Sequence, residues 1–408
     1  MFKATLKQIF GRGSIIMINQ LSVLLAIPIL AARLDFFVFG QVAMGFILVQ
    51  LSWVVSDWGI QHFSIEQWPK FKTQLQKDMF TSAATYLRTS IASLCIGLLA
   101  VIILLDLIDF PISFWICIVP SILMGGIYPL WFYQVQKSPH EMIGVTIFSR
   151  FIYLLLIIFL VHDNESAIWA FLAQGINMSI ITIFAYLRMN HRYQFKLQKF
   201  QFGLWLNTFK QSFPFLINAI TNNQINTLWG FGLSIIGGPL AMAIYNIGDQ
   251  LYRAGGAITN VIAQATRIHF QGMLLKKIKF TFVFFVSLFI VISFSVIALA
   301  PFIISEFFPV NFLPAIDVLQ IMMIAWGMHA IVKMLNYPIL GETHGAEWVN
   351  KMTYKILFLH ASAFLFWVFF LNGPFSLAVV FSSVIGCHLI IFSFHFFHKI
   401  RYDKHHDH

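Results

Sequence analysis

The sequence predicts an all-α, polytopic integral membrane protein with about twelve transmembrane helices. Of its 408 residues, 59% are hydrophobic and only 10% are charged, whereas soluble domains are roughly 45–50% apolar and about 25% charged. The apolar residues form long unbroken blocks, which suit helical spans of about 20 residues and not the short alternating strands of a membrane barrel. Twelve helices would need roughly 240 residues. The sequence therefore excludes a soluble globule and leaves no room for a large soluble domain.

The hydrophobic blocks define the helices in chain order. Basic residues precede the first block, and no small-residue cleavage site follows them, so we expect a retained first helix and not a signal peptide. The predicted spans are 14–33, 39–63, 83–105, 111–134, 142–161, 166–187, 209–236, 239–265, 280–305, 315–340, 353–371 and 375–397.

Lys and Arg in the connectors predict the orientation, because short cytoplasmic loops carry an excess of these residues. Across the intervening connectors, Arg33 is the one Arg or Lys that we count. We therefore expect both termini in the cytoplasm, and the same bias explains the net charge of +10 without nucleic acid. Recognition of anionic lipid head groups is compatible with it. The predicted cytoplasmic segments hold Lys3, Lys7, Arg12, Lys70, Lys72, Lys77, Lys137, Arg188, Arg192, Lys196, Lys199, Arg267, Lys276, Lys277, Lys279, Lys351, Lys399, Arg401 and Lys404.

Weak internal repetition suggests a duplicated architecture. Placing Asn19 on Asn218 also brings residues 39–40 over 238–239 without a gap, and Pro129 near the end of the fourth span corresponds to Pro338 near the end of the tenth. These matches predict two parallel six-helix halves, 1–200 and 201–408, joined by the basic stretch around 188–203. Apolar helices also align with one another by chance, and this alternative stays open.

Several motifs resemble those of bacterial polysaccharide flippases. The block from Arg33 to Gly40 with the following Ser56-Asp-Trp-Gly59 is similar to that family's first two spans, the stretch from Pro129 to Lys137 resembles its Pro-x-Trp-x-x-Gln turn, and Tyr245 to Tyr252 resembles its eighth-span pattern. The resemblance covers most of the chain. It is weaker in the C-terminal half, where Gly341-Glu-Thr-His-Gly345 is only distantly similar to the family's pattern. This family belongs to the multidrug/oligosaccharidyl-lipid/polysaccharide exporter superfamily.

The resemblance implies a flippase of the bacterial inner (cytoplasmic) membrane that serves O-antigen, lipopolysaccharide or capsule biosynthesis. Such proteins move undecaprenyl-pyrophosphate-linked oligosaccharide units from the cytoplasmic to the periplasmic leaflet. We expect alternating access, in which two halves rock about a central cationic cavity. By resemblance, a polysaccharide polymerase and a chain-length regulator are expected partners.

Other functional classes lack their signatures. The sequence has no phosphate-binding Gly-rich loop with Lys-Ser/Thr, no Gly-x-Ser-x-Gly and no His-Glu-x-x-His. A membrane polymerase or ligase needs a large external loop, and no predicted external connector exceeds about a dozen residues. No repeated pore filter indicates a channel, and Cys95, Cys117 and Cys387 lack disulfide or metal-ligand spacing. We expect a transporter without a cofactor or metal, and not an enzyme.

Ionisable residues within the predicted spans are the candidates for binding an anionic cargo, because each costs about 2.5–3.5 kcal/mol to insert. Arg253 is central in the eighth span, and it is the first candidate for the pyrophosphate, whose oxygens match a guanidinium. Its alternative role is a pair with Asp249, one turn earlier. The further candidates are basic residues nearer the span ends, whose alternative role is to reach the interface by snorkelling: Arg88, Arg150, Lys210 and Lys333.

Neutral polar residues are the candidates for binding sugar hydroxyls. Asn218, Asn222 and Asn226 recur every four residues along the seventh span, and Asn19 lies in the corresponding first span. Hydrogen bonding between packed helices is the alternative role. Pro28 and Pro214 in the same spans are expected to permit bending.

Ion coupling would need a titratable or sodium-binding group within the membrane, and Asp249 and Asp57 are the candidates. The alternative role of Asp57 is to neutralise Arg88. His329 and His269 are further groups that titrate near neutral pH, and their alternative role is that of hydrogen-bonded packing residues. A cation-coupled multidrug exporter of the same fold is the alternative function. It should carry more intramembrane carboxylates than basic residues, and the observed excess is basic.

Overall fold

The computed structural model describes residues 2–221, 225–270, 275–340 and 346–406, and no β-strand occurs in these ranges. The all-α prediction is therefore confirmed for the described chain. The α-helices there are α1 (Phe2–Arg33), α2 (Phe36–Asp57), α3 (Ile60–Gln67), α4 (Gln74–Leu104), α5 (Ile112–Ile127), α6 (Leu130–Val135), α7 (Ile143–Leu160), α8 (Ile168–Tyr193), α9 (Phe202–Ala219), α10 (Ile225–Ile236), α11 (Gly238–Phe270), α12 (Leu275–Phe307), α13 (Ala315–Leu335), α14 (Ala346–Phe370) and α15 (Pro374–His406).

Ten helical stretches in the described chain are long and apolar enough to cross a membrane. Large apolar side chains on them are exposed, for example Phe280 at 80% and Phe358 at 75%, and such residues are stable only against lipid. The chain is therefore a multi-pass membrane protein. The ten stretches are Gly13–Arg33, Phe36–Lys70, Gln74–Leu104, Ile112–Val135, Pro139–Leu160, Glu165–Tyr193, Phe280–Phe307, Ala315–Leu335, Lys351–Phe370 and Pro374–Phe396.

The predicted seventh and eighth spans are not among these ten stretches. The seventh, 209–236, is divided between α9 and the 12-residue α10, and residues 222–224 between them lie outside the described chain. The eighth falls on α11, which includes Asp249 and Arg253. The helix α10 is apolar but only 12 residues long, whereas α11 carries Asp249, Arg253 and several amides. The count of twelve spans and the cytoplasmic termini stay predictions.

The predicted second span is interrupted, because two residues between α2 and α3 adopt the left-handed backbone conformation. Trp58 has φ 46° and Gly59 has φ 76°. The Trp58 ring stacks on Phe209 of α9 with 4.7 Å between centroids, and its indole nitrogen donates to the Phe209 carbonyl at 3.1 Å. A Cβ on Gly59 would collide with the α9 backbone at Ser212 and Leu216. The break therefore brings α9 close to the end of α2.

The predicted fourth span is also interrupted, between α5 and α6. Tyr128 leaves the helical conformation with ψ 117°, and Pro129 follows it without an N–H to continue the helical hydrogen bonds. At the break, the Tyr128 carbonyl accepts hydrogen bonds from the Leu130 amide at 3.0 Å and from Arg88 on α4 at 2.8 Å.

Arg33, the basic exception in the predicted external set, is the last residue of α1. Its Nη1 donates to the carbonyls of Ile158 at 2.5 Å and Val161 at 2.7 Å, at the end of α7. A cation at a helix C-terminus satisfies free carbonyls and stabilises the helix dipole. Asp35 caps α2 through the Val38 amide at 2.8 Å. Arg33 thus has a local structural role.

The contacts divide the chain into two units, which we call unit 1 (Met1–Ala243) and unit 2 (Ile244–His408). Unit 1 has an aromatic core that includes Trp68, Phe80 and Trp131. In unit 2, α13 lies against α12 and α15, with Trp326 and Phe289 in contact at 5.9 Å between ring centroids. The sequence repeat with halves 1–200 and 201–408 concerns ancestry and stays a prediction.

Candidate functional site

Arg150 is a buried basic residue of unit 1 whose hydrogen-bonding partners are neutral. It lies on the face of α7 that also buries Ser149 and Tyr153, and the residue is 5% exposed. Its Nε donates to Asn19 Oδ1 at 2.7 Å, and its Nη1 donates to Gln174 Oε1 at 3.2 Å. The guanidinium also lies over the Tyr153 ring, 5.4 Å from its centroid. Two candidates that are far apart in sequence, Asn19 and Arg150, are thus brought into direct contact.

No carboxylate of the described chain forms an ion pair with Arg150. The amide oxygens of Asn19 and Gln174 solvate the charge but do not cancel it. Within the described residues, the Nη2 group makes no hydrogen bond and remains available as a donor. A buried guanidinium without a counter-charge is costly in a membrane, so this site favours an anionic ligand.

Lys333 of unit 2 is a second basic residue that is held by an amide. It is half-buried in the last turn of α13, and its Nζ donates to Asn260 Oδ1 on α11 at 2.7 Å. Of the residues that the structure describes, no carboxylate pairs with it. One turn earlier on the same helix, the ring of His329 forms a hydrogen bond with the Tyr252 hydroxyl.

Arg253 forms an ion pair with Asp249 inside α11, as the four-residue spacing predicts. Arg253 Nε donates to Asp249 Oδ2 at 2.6 Å, and the two side chains are 9% and 0% exposed. Tyr245 and Tyr252 lie on the same buried face of the helix. This predicted contact is confirmed, and it makes the local site close to neutral. The substrate-binding role of Arg253 and the coupling role of Asp249 stay predictions.

Arg88 and Asp57 form a second pair, with 3.7 Å between Nη2 and Oδ1. The expectation that Asp57 neutralises Arg88 is confirmed. Arg88 also donates to the Tyr128 carbonyl, and Asp57 accepts from the Gln61 amide at 3.3 Å. These contacts connect α2, α4 and the break after α5. Both residues therefore stabilise the packing of these helices, apart from any role in transport.

The remaining candidates differ in their surroundings. Lys210 is exposed on α9, and Asn226 is buried on α10 with 5% exposure. Asn222 and the side chain of Asn218 lie outside the described residues. Pro28 and Pro214 lie inside α1 and α9. The asparagine stripe along the seventh span therefore stays a prediction.

The sequence argument missed the amides that hold the unpaired cations, namely Gln174 and Asn260. An available signal was the occurrence of amide side chains inside apolar spans, where they must find a partner. The structure also places Asn177 one turn after Gln174, fully buried, with neither amide atom hydrogen-bonded to a described residue. Within the described chain, no cluster of three or more His, Cys, Asp or Glu could hold a metal.

The fold is shared with known transporters. The inward closed conformation of the lipid II flippase MurJ superposes with a TM-score of 0.71 at 12% identity, covering 95% of this chain and 86% of the flippase. The eukaryotic MATE transporter AtDTX14 superposes with a TM-score of 0.54 at 14% identity, covering 96% of each chain. A MOP superfamily transporter from Pyrococcus furiosus gives a TM-score of 0.55 at 11% identity, covering 96% of this chain and 94% of that transporter.

The sequence comparison gives the family directly. No curated protein matches the chain, and the likeness to solved structures at these low identities concerns the fold. Residues 5–268, well over half of the chain, match the family of polysaccharide biosynthesis proteins. The motifs that resemble polysaccharide flippases lie within this region. The chain therefore belongs to the polysaccharide biosynthesis protein family and has the fold of MOP superfamily transporters.

Proposed function

We propose that the protein is a flippase for lipid-linked oligosaccharides. It would carry repeat units on undecaprenyl pyrophosphate from the cytoplasmic to the periplasmic leaflet of the bacterial inner membrane by alternating access, for an O-antigen or capsule. In this proposal it is a transporter and not an enzyme. Its family supports a role in polysaccharide biosynthesis, and the shared fold supports transport of a lipid-linked cargo.

The observation that carries the proposal is the pattern of charge compensation. Arg253 and Arg88 are paired with carboxylates, whereas Arg150 and Lys333 are held by neutral amides. Arg150 in unit 1 and Lys333 in unit 2 thus each keep a charge that no described carboxylate cancels. A pyrophosphate carries the opposite charge, and its oxygens accept the hydrogen bonds that these donors offer.

The same pattern disfavours a cationic cargo. A cation exporter needs negative charge at its binding site, and the intramembrane candidates Asp57 and Asp249 are both occupied by arginines. Neutral amides near Arg150 suit the other part of the cargo, because they bind sugar hydroxyls without adding charge. Asn19, Gln174 and Asn177 are the described amides in this part of unit 1.

The proposal is tested in a strain that lacks the protein, complemented with wild type or with Arg150→Ala. We expect the strain to lose its surface polysaccharide and to accumulate the undecaprenyl-linked repeat unit on the cytoplasmic side. Wild type should restore export, whereas Arg150→Ala should not, although the protein is present at a normal level. Arg192→Ala is the matched control, since Arg192 is half-exposed and shares Glu141 with Arg188.

Normal polysaccharide in the deletion strain would contradict the proposal. If such a strain instead became sensitive to cationic drugs, the exporter alternative would replace it. Full export by Arg150→Ala would remove Arg150 from the binding site and leave the flippase function itself intact.

A further inference from the structure

We propose that His329 in unit 2 is a proton-binding group, and that its protonation is coupled to the binding of an anionic head group at Lys333. This inference rests on the proposed function, since it assumes an anionic cargo. It replaces the carboxylates of the sequence prediction with a histidine as the coupling group.

The first observation is the hydrogen bond between His329 and Tyr252. The Tyr252 hydroxyl contacts Nδ1 of His329, and the two rings are nearly parallel with 5.9 Å between centroids. Tyr252 is 5% exposed. A neutral imidazole in the Nε2–H tautomer accepts the hydroxyl hydrogen at Nδ1, whereas a protonated imidazole carries a hydrogen there and must donate it to the tyrosine oxygen. From that tautomer, protonation of His329 reverses the bond and turns the hydrogen of the Tyr252 hydroxyl away.

The second observation is the set of groups around His329. Lys333 lies one turn further along α13, and the rings of Tyr252 and His360 both contact Phe381, at 5.5 Å and 6.0 Å between centroids. The helix α14 contributes His360, which is 1% exposed, and α15 contributes His388, which is 7% exposed. The helix α11 contributes Tyr252 together with the Asp249–Arg253 pair, and α12 has no titratable side chain between Phe280 and Ser305.

The surroundings of His329 thus contain the Lys333 amine, the Asp249–Arg253 ion pair and two further imidazoles, and no described carboxylate there is without an arginine partner. Residues four apart on a helix are neighbours, and like charges at this spacing repel. A proton on His329 therefore raises the free energy of the charged form of Lys333, and the charge on Lys333 disfavours protonation of His329. An anion bound to Lys333 removes this repulsion and favours protonation.

The consequence is reciprocal linkage. If the anion favours the proton, the proton must favour the anion by the same factor. Neither Asp57 nor Asp249 is as well placed for this role, because each is held by an arginine. Release of the proton on the opposite side of the membrane would then lower the affinity for the head group and favour its dissociation.

The test measures binding and proton uptake on the purified, full-length protein. Farnesyl pyrophosphate serves as a short-chain probe of the head group, and its affinity is measured at pH 5.5 and pH 8 in about 0.15 M salt. Calorimetry in two buffers of different ionisation enthalpy gives the number of protons taken up on binding. We expect tighter binding at the lower pH, on the order of tenfold, and net proton uptake.

The variant His329→Gln should bind the probe with a much smaller pH dependence and less proton uptake. The matched control is His140→Gln, a half-buried histidine of unit 1, which should behave as wild type. The pyrophosphate of the probe also titrates in this pH range. The test of the proposal is therefore the difference in pH dependence and proton uptake between His329→Gln and the wild type. Size-exclusion profiles and melting temperatures show whether each variant is folded.

The outcomes separate the two proposals. Absence of probe binding to the wild type at either pH would count against the anionic cargo, and with it the proposed function. Binding with the same pH dependence and proton uptake in wild type and His329→Gln would overturn the coupling alone. If His329→Gln does not fold, nitrogen NMR of the imidazoles in wild type gives the same decision, since His329 must change protonation when the probe is added.

Discussion

At the scale of single residues, the partner of a buried cation decides what the cation can bind. A guanidinium paired with a carboxylate presents almost no net charge, and removing either partner leaves the other charge buried and costs about 3–5 kcal/mol. A guanidinium held by amides keeps its full charge. Arg253 and Arg150 are the two cases in this protein, with Asp249 and Asn19 as their respective partners.

This contrast predicts the effect of Asn19→Asp. The new carboxylate would lie where the Asn19 amide oxygen now accepts from Arg150 Nε at 2.7 Å, so it would cancel the charge without removing the arginine. We expect normal folding and a loss of polysaccharide export on the order of tenfold, equivalent to about 1.4 kcal/mol. The measurement is surface polysaccharide per unit of membrane-inserted protein.

The matched control for Asn19→Asp is Asn207→Asp, which adds the same charge at an exposed position of α9. Export should be unchanged in the control. If Asn19→Asp also exports normally, the net charge of Arg150 does not contribute to transport.

The sequence predicted these residues better than it predicted their partners. Intramembrane cations are visible in any hydropathy scan, and the spacing of four residues was enough to foresee the pair of Asp249 with Arg253. Asn19 and Gln174, which accept hydrogen bonds from Arg150, lie on other helices and are 131 and 24 residues away from it along the chain. Such contacts depend on tertiary packing, which periodicity does not encode. The sequence ranked Arg253 above Arg150 because its central position in the span was visible, whereas the neutral partners of Arg150 were not.

At the scale of elements, the helix breaks position the neighbouring helices. The sequence predicts an unbroken second span, yet Gly59 takes a positive φ and approaches the backbone of α9. A glycine inside an apolar block does not reveal which conformation it adopts, so this break could not be placed from the pattern alone. Pro129 was a clearer signal, since proline lacks the N–H that a continuous helix needs.

The Gly59 break predicts a large difference between two glycine substitutions. Gly59→Ala should lower stability, because the left-handed conformation costs roughly 1–2 kcal/mol for an alanine and its Cβ would collide with the α9 backbone. Gly97→Ala in α4 is the control, since no atom lies within 4 Å of its added Cβ, and helix propensity favours alanine there.

Thermal unfolding in detergent measures both glycine variants. We expect a lower melting temperature for Gly59→Ala and an equal or higher one for Gly97→Ala. Similar melting temperatures would show that the close approach of α9 at Gly59 does not persist in solution.

At the scale of the whole molecule, hydropathy identifies most of the predicted spans but not all of them. In the described chain, the first six predicted spans and the last four coincide with stretches that are apolar enough to cross a membrane, whereas the seventh and eighth do not. The helix α10 is apolar but short, and α11 contains Asp249 and Arg253, whose charges lower its hydropathy. The fold class was therefore predictable from composition, while the number of spans was not settled by it.

The location of the two termini cannot distinguish a protein of ten spans from one of twelve. Ten and twelve are both even, so either count leaves both termini on the same side. The turn between α10 and α11 distinguishes them. It is external if α9 with α10 and then α11 cross the membrane, and cytoplasmic if residues 194–275 all stay on the inner side. Ile236 at this turn is 39% exposed and is suitable for labelling.

We expect Ile236→Cys, in a background with Cys95, Cys117 and Cys387 replaced by alanine, to react with a membrane-impermeant maleimide added to intact cells with a permeabilised outer membrane. Asp163→Cys in the predicted external connector after α7 is the positive control, and Lys199→Cys in the basic stretch after α8 is the negative control. Labelling of Ile236→Cys only after lysis would place the turn inside, reduce the count to ten, and leave Asp249 and Arg253 on a helix that does not cross. In that arrangement the remaining intramembrane candidates for binding the cargo would be Arg150 and Lys333, which have no carboxylate partner in the described chain.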